Sequence, residues 1–226
     1  MIKDIMLLAK KDLRLEFRSK ETLFSMGIFS FSAVLIFSAF FNFIDIPLDA
    51  RYSISIASVL FIITFSVMLG ITSIFSRELK KNTIYSILSL AVKPQVIFLS
   101  KLIYLIVLLL IIEALTLILS VVFLRVDIQG DFTLLIIIIT LGTLDLAVAG
   151  CIVAFLTMYS KSKTLAIPVL FFPLILPSLL IATQVSMSLV LYNDFEYFLT
   201  NSLVLFFHTV IILVLALLAT EELISE

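Results

Sequence analysis

Three side chains carry chemistry into the apolar stretches of this 226-residue sequence: Glu113, Asp145 and His208. Ionisable groups in such stretches are costly and normally face protein or water. Glu113 lies 12 residues beyond Lys101, and Asp145 lies 13 residues beyond Phe132. At 1.5 Å per helical residue these offsets are about 18 and 20 Å, which puts both carboxyls near the middle of a membrane on consecutive antiparallel helices. No lysine or arginine in those stretches could neutralise them. One expectation is therefore that both are protonated and hydrogen-bonded between helices, with Thr116, Thr140 or Thr143 as partners. The other is a polar seam used in a conformational change, in contact with a partner helix, or as the ion sites of a coupled carrier. His208 is expected to hydrogen-bond between helices.

Other chemistries are missing. One histidine and one cysteine, Cys151, cannot build a metal cluster or an intramolecular disulfide. The five glycines fall in no phosphate-binding pattern, and no nucleophile has a base partner at a recognisable spacing. Tryptophan is absent, and a net charge of −1 gives no nucleic-acid signal. A catalytic role is not expected. Energy must come from a partner or an ion gradient.

The elements that position these residues follow from composition. Hydrophobic residues make up 62% of the chain and charged ones 14%, with a mean hydropathy of +1.28. A soluble domain is excluded, because such domains are about 45–50% apolar and about 25% charged. The apolar runs predict an all-α polytopic membrane protein with six spans, near Thr22–Phe43, Ser53–Phe75, Leu102–Leu124, Phe132–Met158, Thr164–Thr183 and Leu199–Thr220. Thirteen of the fifteen basic residues then fall on one side, which leaves only Arg51 and Arg125 on the other. That split orients both termini toward the cytoplasm of a multi-pass inner-membrane protein. Residues Gln184–Phe198 are expected along the outer surface.

Two cytoplasmic segments have helical patterning. In residues 1–20, Ile2, Met6, Ala9, Leu13 and Phe17 share one face, while Lys3, Lys10, Lys11, Arg14 and Arg18 supply the charge. This predicts an amphipathic elbow helix lying in the membrane interface, cations toward anionic head groups. In the loop 76–101, Asn82 or Thr83 can cap a short helix whose apolar face is Ile84, Ile87, Leu88 and Ala91. Lys93-Pro94 ends it, and Pro94 suits the first turn of the next helix. A short helix held between two spans can dock in a groove on a soluble partner. Pro168, Pro173 and Pro177 should kink or break span five.

The loop resembles the coupling segment of ABC-2-type permeases through Arg77, Glu78, Thr83, Ile87, Leu88, Pro94 and Lys101, with Ser100 in place of the usual glycine. KDLRLEFRSKE (Lys11–Glu21), LGTLDLAVAG (Leu141–Gly150) and PVLFFPLILPSLL (Pro168–Leu180) resemble the CcmB family, the haem exporter protein B of cytochrome c maturation. Asp145 departs from that family's pattern, which has a small or apolar residue there. The resemblance implies an ABC-2, type V exporter-like fold and a non-catalytic permease subunit. The partners it implies are a cytoplasmic CcmA-like ATPase that holds the ATP, CcmC-like and CcmD-like membrane subunits, and a CcmE-like haem chaperone released by ATP hydrolysis. It leaves a homodimer open. Haem is expected to be handled by the complex, with none bound directly here. The chain lacks tryptophan, and His208 alone could ligate only one side of a haem. An ABC-2 exporter of lipid, glycan or peptide is the nearest alternative, and an ion-coupled carrier using Glu113 and Asp145 a more distant one.

Overall fold

A computed structural model of the chain describes residues 1–43, 47–75, 93–124, 131–158, 160, 162–192 and 194–225. The described residues form seven helices and no strand. These are α1 (Ile2–Ser19), α2 (Glu21–Phe43), α3 (Leu48–Ser73), α4 (Pro94–Leu124), α5 (Phe132–Thr157), α6 (Lys163–Tyr192) and α7 (Phe195–Ser225). The six from α2 to α7 are long and apolar enough to cross a membrane. The chain is thus an all-helical polytopic membrane protein.

Apolar side chains surround each long helix, so packing depends on which helix sits inside. Helices α3 and α5 bury 67% of their most apolar windows, against 28% for α2 and α6 and 22% for α7. The inner pair approaches closely at Gly150, where an added Cβ would lie 2.9 Å from Val67 Cγ1 and 3.1 Å from Ile71 Cγ1. Small residues at helix crossings allow this approach in lipid, where the hydrophobic effect does not drive helices together. Phe75, Phe98 and Phe155 close the core at one end, with ring centroids 4.8 and 5.3 Å apart. Buried hydroxyls add links, including Ser30 Oγ to Ser66 Oγ between α2 and α3 at 3.1 Å.

Helix ends follow local chemistry. Asp131 caps α5, its carboxylate accepting from Thr133 N and Leu134 N. Pro94 opens α4, as its missing N–H predicts, although the helix starts eight residues before the apolar run. Pro168, Pro173 and Pro177 all lie inside α6, which continues through them. That helix also runs to Tyr192, so Gln184–Tyr192 are its last turns and not a separate surface segment. Between α1 and α2 there is a single residue, Lys20, in the left-handed region at φ 57°.

Candidate functional site

Helix α1 has two faces, and its sequence announces only one of them. Ile2, Met6 and Phe17 are exposed at 75%, 59% and 48%, so these members of the predicted apolar stripe point away from the bundle, whereas Ala9 is buried. Lys10, Lys11, Arg14 and Arg18 are exposed as well. The stripe that packs inward is Ile5, Ala9, Asp12 and Glu16, about a quarter turn round the helix at 3.6 residues per turn. Two carboxylates therefore enter the bundle on a segment whose composition is basic.

Both meet α4. Asp12 pairs with Lys101 at 3.0 Å, and both side chains are buried. Lys101 also lies over the Phe75 ring, 5.4 Å from its centroid, and Lys11 approaches the other Asp12 oxygen at 3.3 Å. One turn on, Glu16 accepts hydrogen bonds from Thr22 N at 2.8 Å, Thr22 Oγ1 at 3.0 Å, Leu23 N at 3.1 Å and Tyr104 Oη at 3.1 Å. Thr22 N and Leu23 N belong to the first turn of α2, whose amides have no intrahelical acceptor. Glu16 thus caps α2 while holding α4, and its charge suits the positive end of the helix dipole. Burial pushes the Glu16 carboxyl up, but the hydrogen bonds from Leu23, Thr22 and Tyr104 outweigh it and hold the group below the ordinary glutamate range. Asp12 and Glu16 (i, i+4) face Lys101 and Tyr104 (i, i+3), so two adjacent turns of each helix are fastened together.

This joint lies close to the predicted coupling loop. Lys101 is seven residues beyond Pro94, about 10 Å along α4 at the helical rise. Of the predicted docking residues, Pro94 is in place at the start of α4. Arg77, Glu78, Thr83, Ile84, Ile87 and Leu88 lie outside the described residues.

The intramembrane groups have separate partners. Thr140 Oγ1 donates to Glu113 Oε1 at 2.8 Å, joining α5 to α4, one of the three threonine contacts expected. Asp145, fully buried, instead takes His208 Nδ1 at 2.9 Å and Thr209 Oγ1 at 3.0 Å from α7, both on Oδ1. The interhelical hydrogen bond expected of His208 is thus present, and its partner is the aspartate that had no cation in reach. Glu113 and Asp145 share no ligand, and among the described residues no cluster of three histidine, cysteine or acidic side chains could hold a metal. An amide oxygen can replace Oε1 as the acceptor for Thr140, so Glu113→Gln is expected to retain assembly and function in a complementation assay. Loss of function in a stably inserted protein would show that the carboxyl itself is needed.

The profile of the CcmB protein family matches residues 3–223, nearly the whole chain. The chain belongs to the CcmB family. Membership makes it a permease subunit of the ABC haem-export type associated with cytochrome c biogenesis, and accounts for the six apolar helices. A comparison with curated proteins finds no match. Within this CcmB-family chain the residues missed by sequence reading are Asp12, Glu16, Tyr104 and Thr209. A signal for the first two existed: acidic residues four apart, in a 4-3-4 register with Ile5 and Ala9, inside a lysine- and arginine-rich helix.

Proposed function

We propose that this chain couples ATP hydrolysis by a cytoplasmic CcmA-like ATPase to release of a haem-loaded CcmE-like chaperone from a CcmC-like membrane partner, with a CcmD-like subunit in the same assembly. The observation that carries the reading is the buried joint of Asp12 and Glu16 with Lys101 and Tyr104. The loop that would dock on the ATPase leads into α4 at Pro94, and the joint follows within about three turns. A push on that loop displaces α4, and the ion pair and the Glu16 cap carry α1 and the start of α2 with it. The distribution of lysine and arginine supports cytoplasmic termini and an inner-membrane location.

Haem contact belongs to the partners in this reading. The single histidine is occupied at Nδ1 by Asp145, and the chain has no tryptophan. The ion-coupled alternative is disfavoured because Glu113 and Asp145 are engaged by different helices.

The test is affinity purification of the full chain in mild detergent from its native membranes, with the accompanying proteins identified by mass spectrometry. An ATPase and a tryptophan-rich membrane protein are expected together. Leu88→Asp should weaken ATPase retention by about 30-fold or more, the effect of losing one interface anchor of about 2 kcal/mol, while the membrane partner stays. Recovery of no ATPase would overturn the coupling role, and unchanged retention in Leu88→Asp would overturn the docking assignment.

A further inference from the structure

A groove of about 420 Å³ runs down the outside of the bundle, between the end of α1, the first half of α2 and the middle of α4. Gly27 opens it, since an added Cβ there would meet one side-chain atom, Leu115 Cδ2 at 3.7 Å. Phe31 closes the deep end, its ring 6.2 Å from that of Phe123. Lys20 stands at the other end and is the single charged residue in the lining among the described residues. From Lys20 to Phe31 is 11 residues, about 16 Å at the helical rise. That is the depth of one leaflet in a hydrocarbon core about 30 Å thick. A helix about 10 Å across would fill about 1,200 Å³ over this length, roughly three times the room available. A single alkyl chain needs far less, because its packed carbons sit about 4 Å from their neighbours.

Charge defines the other end of the ligand. Lys20 is exposed, and among the described residues no carboxylate forms an ion pair with it. Glu16, the acid of the preceding turn, is turned inward and engaged by Thr22, Leu23 and Tyr104. Exposed Arg18 adds a second cation beside exposed Glu21. A lysine at the edge of a span lays its stem on apolar surface and holds its ammonium at head-group level. Basic residues at that level attract anionic lipid. We infer that the groove is a lipid site, which seats one acyl chain of an anionic phospholipid from the leaflet on the α1 side with the lipid phosphate on Lys20. This is distinct from the attraction of the basic face of α1 for head groups in general, because one molecule is held between walls. Lys20 is the single residue between α1 and α2, so the bound lipid wedges the angle between those helices.

The site involves α1, α2 and α4 alone and stands or falls separately from ATPase docking. The chain has no tryptophan, so one introduced by substitution is a unique fluorophore. Ile28→Trp places it along the groove, and Leu215→Trp, exposed on α7, is the control. The full chain is reconstituted into phosphatidylcholine vesicles containing acyl-brominated phosphatidylglycerol or, in parallel, acyl-brominated phosphatidylcholine, and quenching reports which lipid lies against each reporter. Phosphatidylglycerol should be preferred about fivefold at Ile28→Trp, the worth of one lysine beside an anionic head group, and not at Leu215→Trp. On the Ile28→Trp background, Lys20→Gln should abolish the preference, while Lys20→Arg and Arg18→Gln should keep it. Gly27→Leu, which fills the groove and leaves Lys20 in place, should abolish it too. Equal quenching by the two lipids at Ile28→Trp would overturn the inference, as would a preference that survives Gly27→Leu. So would equal losses in Lys20→Gln and Arg18→Gln, the mark of general surface charge, or no quenching by either lipid, the mark of a protein helix over the groove.

Discussion

Asp12→Leu is expected to lower stability by about 3–5 kcal/mol, the cost of breaking a buried ion pair by removing one member. Lys101, 4% exposed, loses its 3.0 Å contact with Asp12 and keeps its place over the Phe75 ring. Lys101→Met should also be destabilising but less so, because Lys11 remains 3.3 Å from the other Asp12 oxygen. The double variant, Asp12→Leu with Lys101→Met, should recover most of the loss, because apolar groups of similar volume replace a buried ion pair at little net change. Denaturation by sodium dodecyl sulfate in mixed micelles measures all four corners of the cycle. Coupling of less than about 0.5 kcal/mol would mean that the two residues act independently. Activity separates packing from transmission: the double variant should be stable yet still impaired if the charged link itself carries the motion.

Glu16→Ala should be nearly as damaging. It removes the acceptor for two backbone amides, one hydroxyl and one phenol at once. Loss of a helix cap costs about 0.5–2 kcal/mol, and each buried donor left unsatisfied adds about 1–3 kcal/mol. Glu16→Gln retains a carbonyl but loses the charge, and should fall between alanine and the parent. The native carboxyl lies below the ordinary glutamate range, which sets the sign of the pH dependence. The bound state takes up its proton at lower pH than the detached one, so the stabilisation is complete above the ordinary value and fades as pH falls through the bound-state value. Docking of α1, followed by a spin label or a fluorophore on Arg14, should weaken on acidification in the parent and be insensitive to pH in Glu16→Gln. An equal response in both proteins would remove Glu16 as its source.

The six long helices were legible because hydropathy and length suffice for segments surrounded by lipid. Thr140 as a partner for Glu113 was legible too, since midplane depth and antiparallel order leave few candidates. The Asp145–His208 pair was not, because α5 and α7 are not consecutive and depth alone does not say which helices touch. The joint was hidden for a different reason. Hydrophobic periodicity finds the face that seeks apolar surroundings, and on α1 that face is Ile2, Met6 and Phe17, which turn outward. The inward face is held by charge and hydrogen bonds, to which a periodicity search is blind. Of the two readings of span five, kinked or broken, the break is absent, because three prolines lie within a continuing helix. Membrane helices tolerate the carbonyls so freed when neighbouring groups re-satisfy them.

The single left-handed residue between α1 and α2 makes α1 a lever with a short fulcrum. Lys20 leaves no slack for the two helices to slide past each other, so a displacement applied to α1 becomes a swing about that point. Asp12, where α4 pulls, is about 12 Å from the fulcrum along the helix, and Ile2 is about 27 Å away. A shift of about 1 Å at Lys101 thus sweeps the far end of α1 through about 2 Å, by the ratio of those two arms. The exposed stripe of Ile2, Met6 and Phe17 would carry that sweep into the head-group layer, making the surrounding lipid part of the mechanical load.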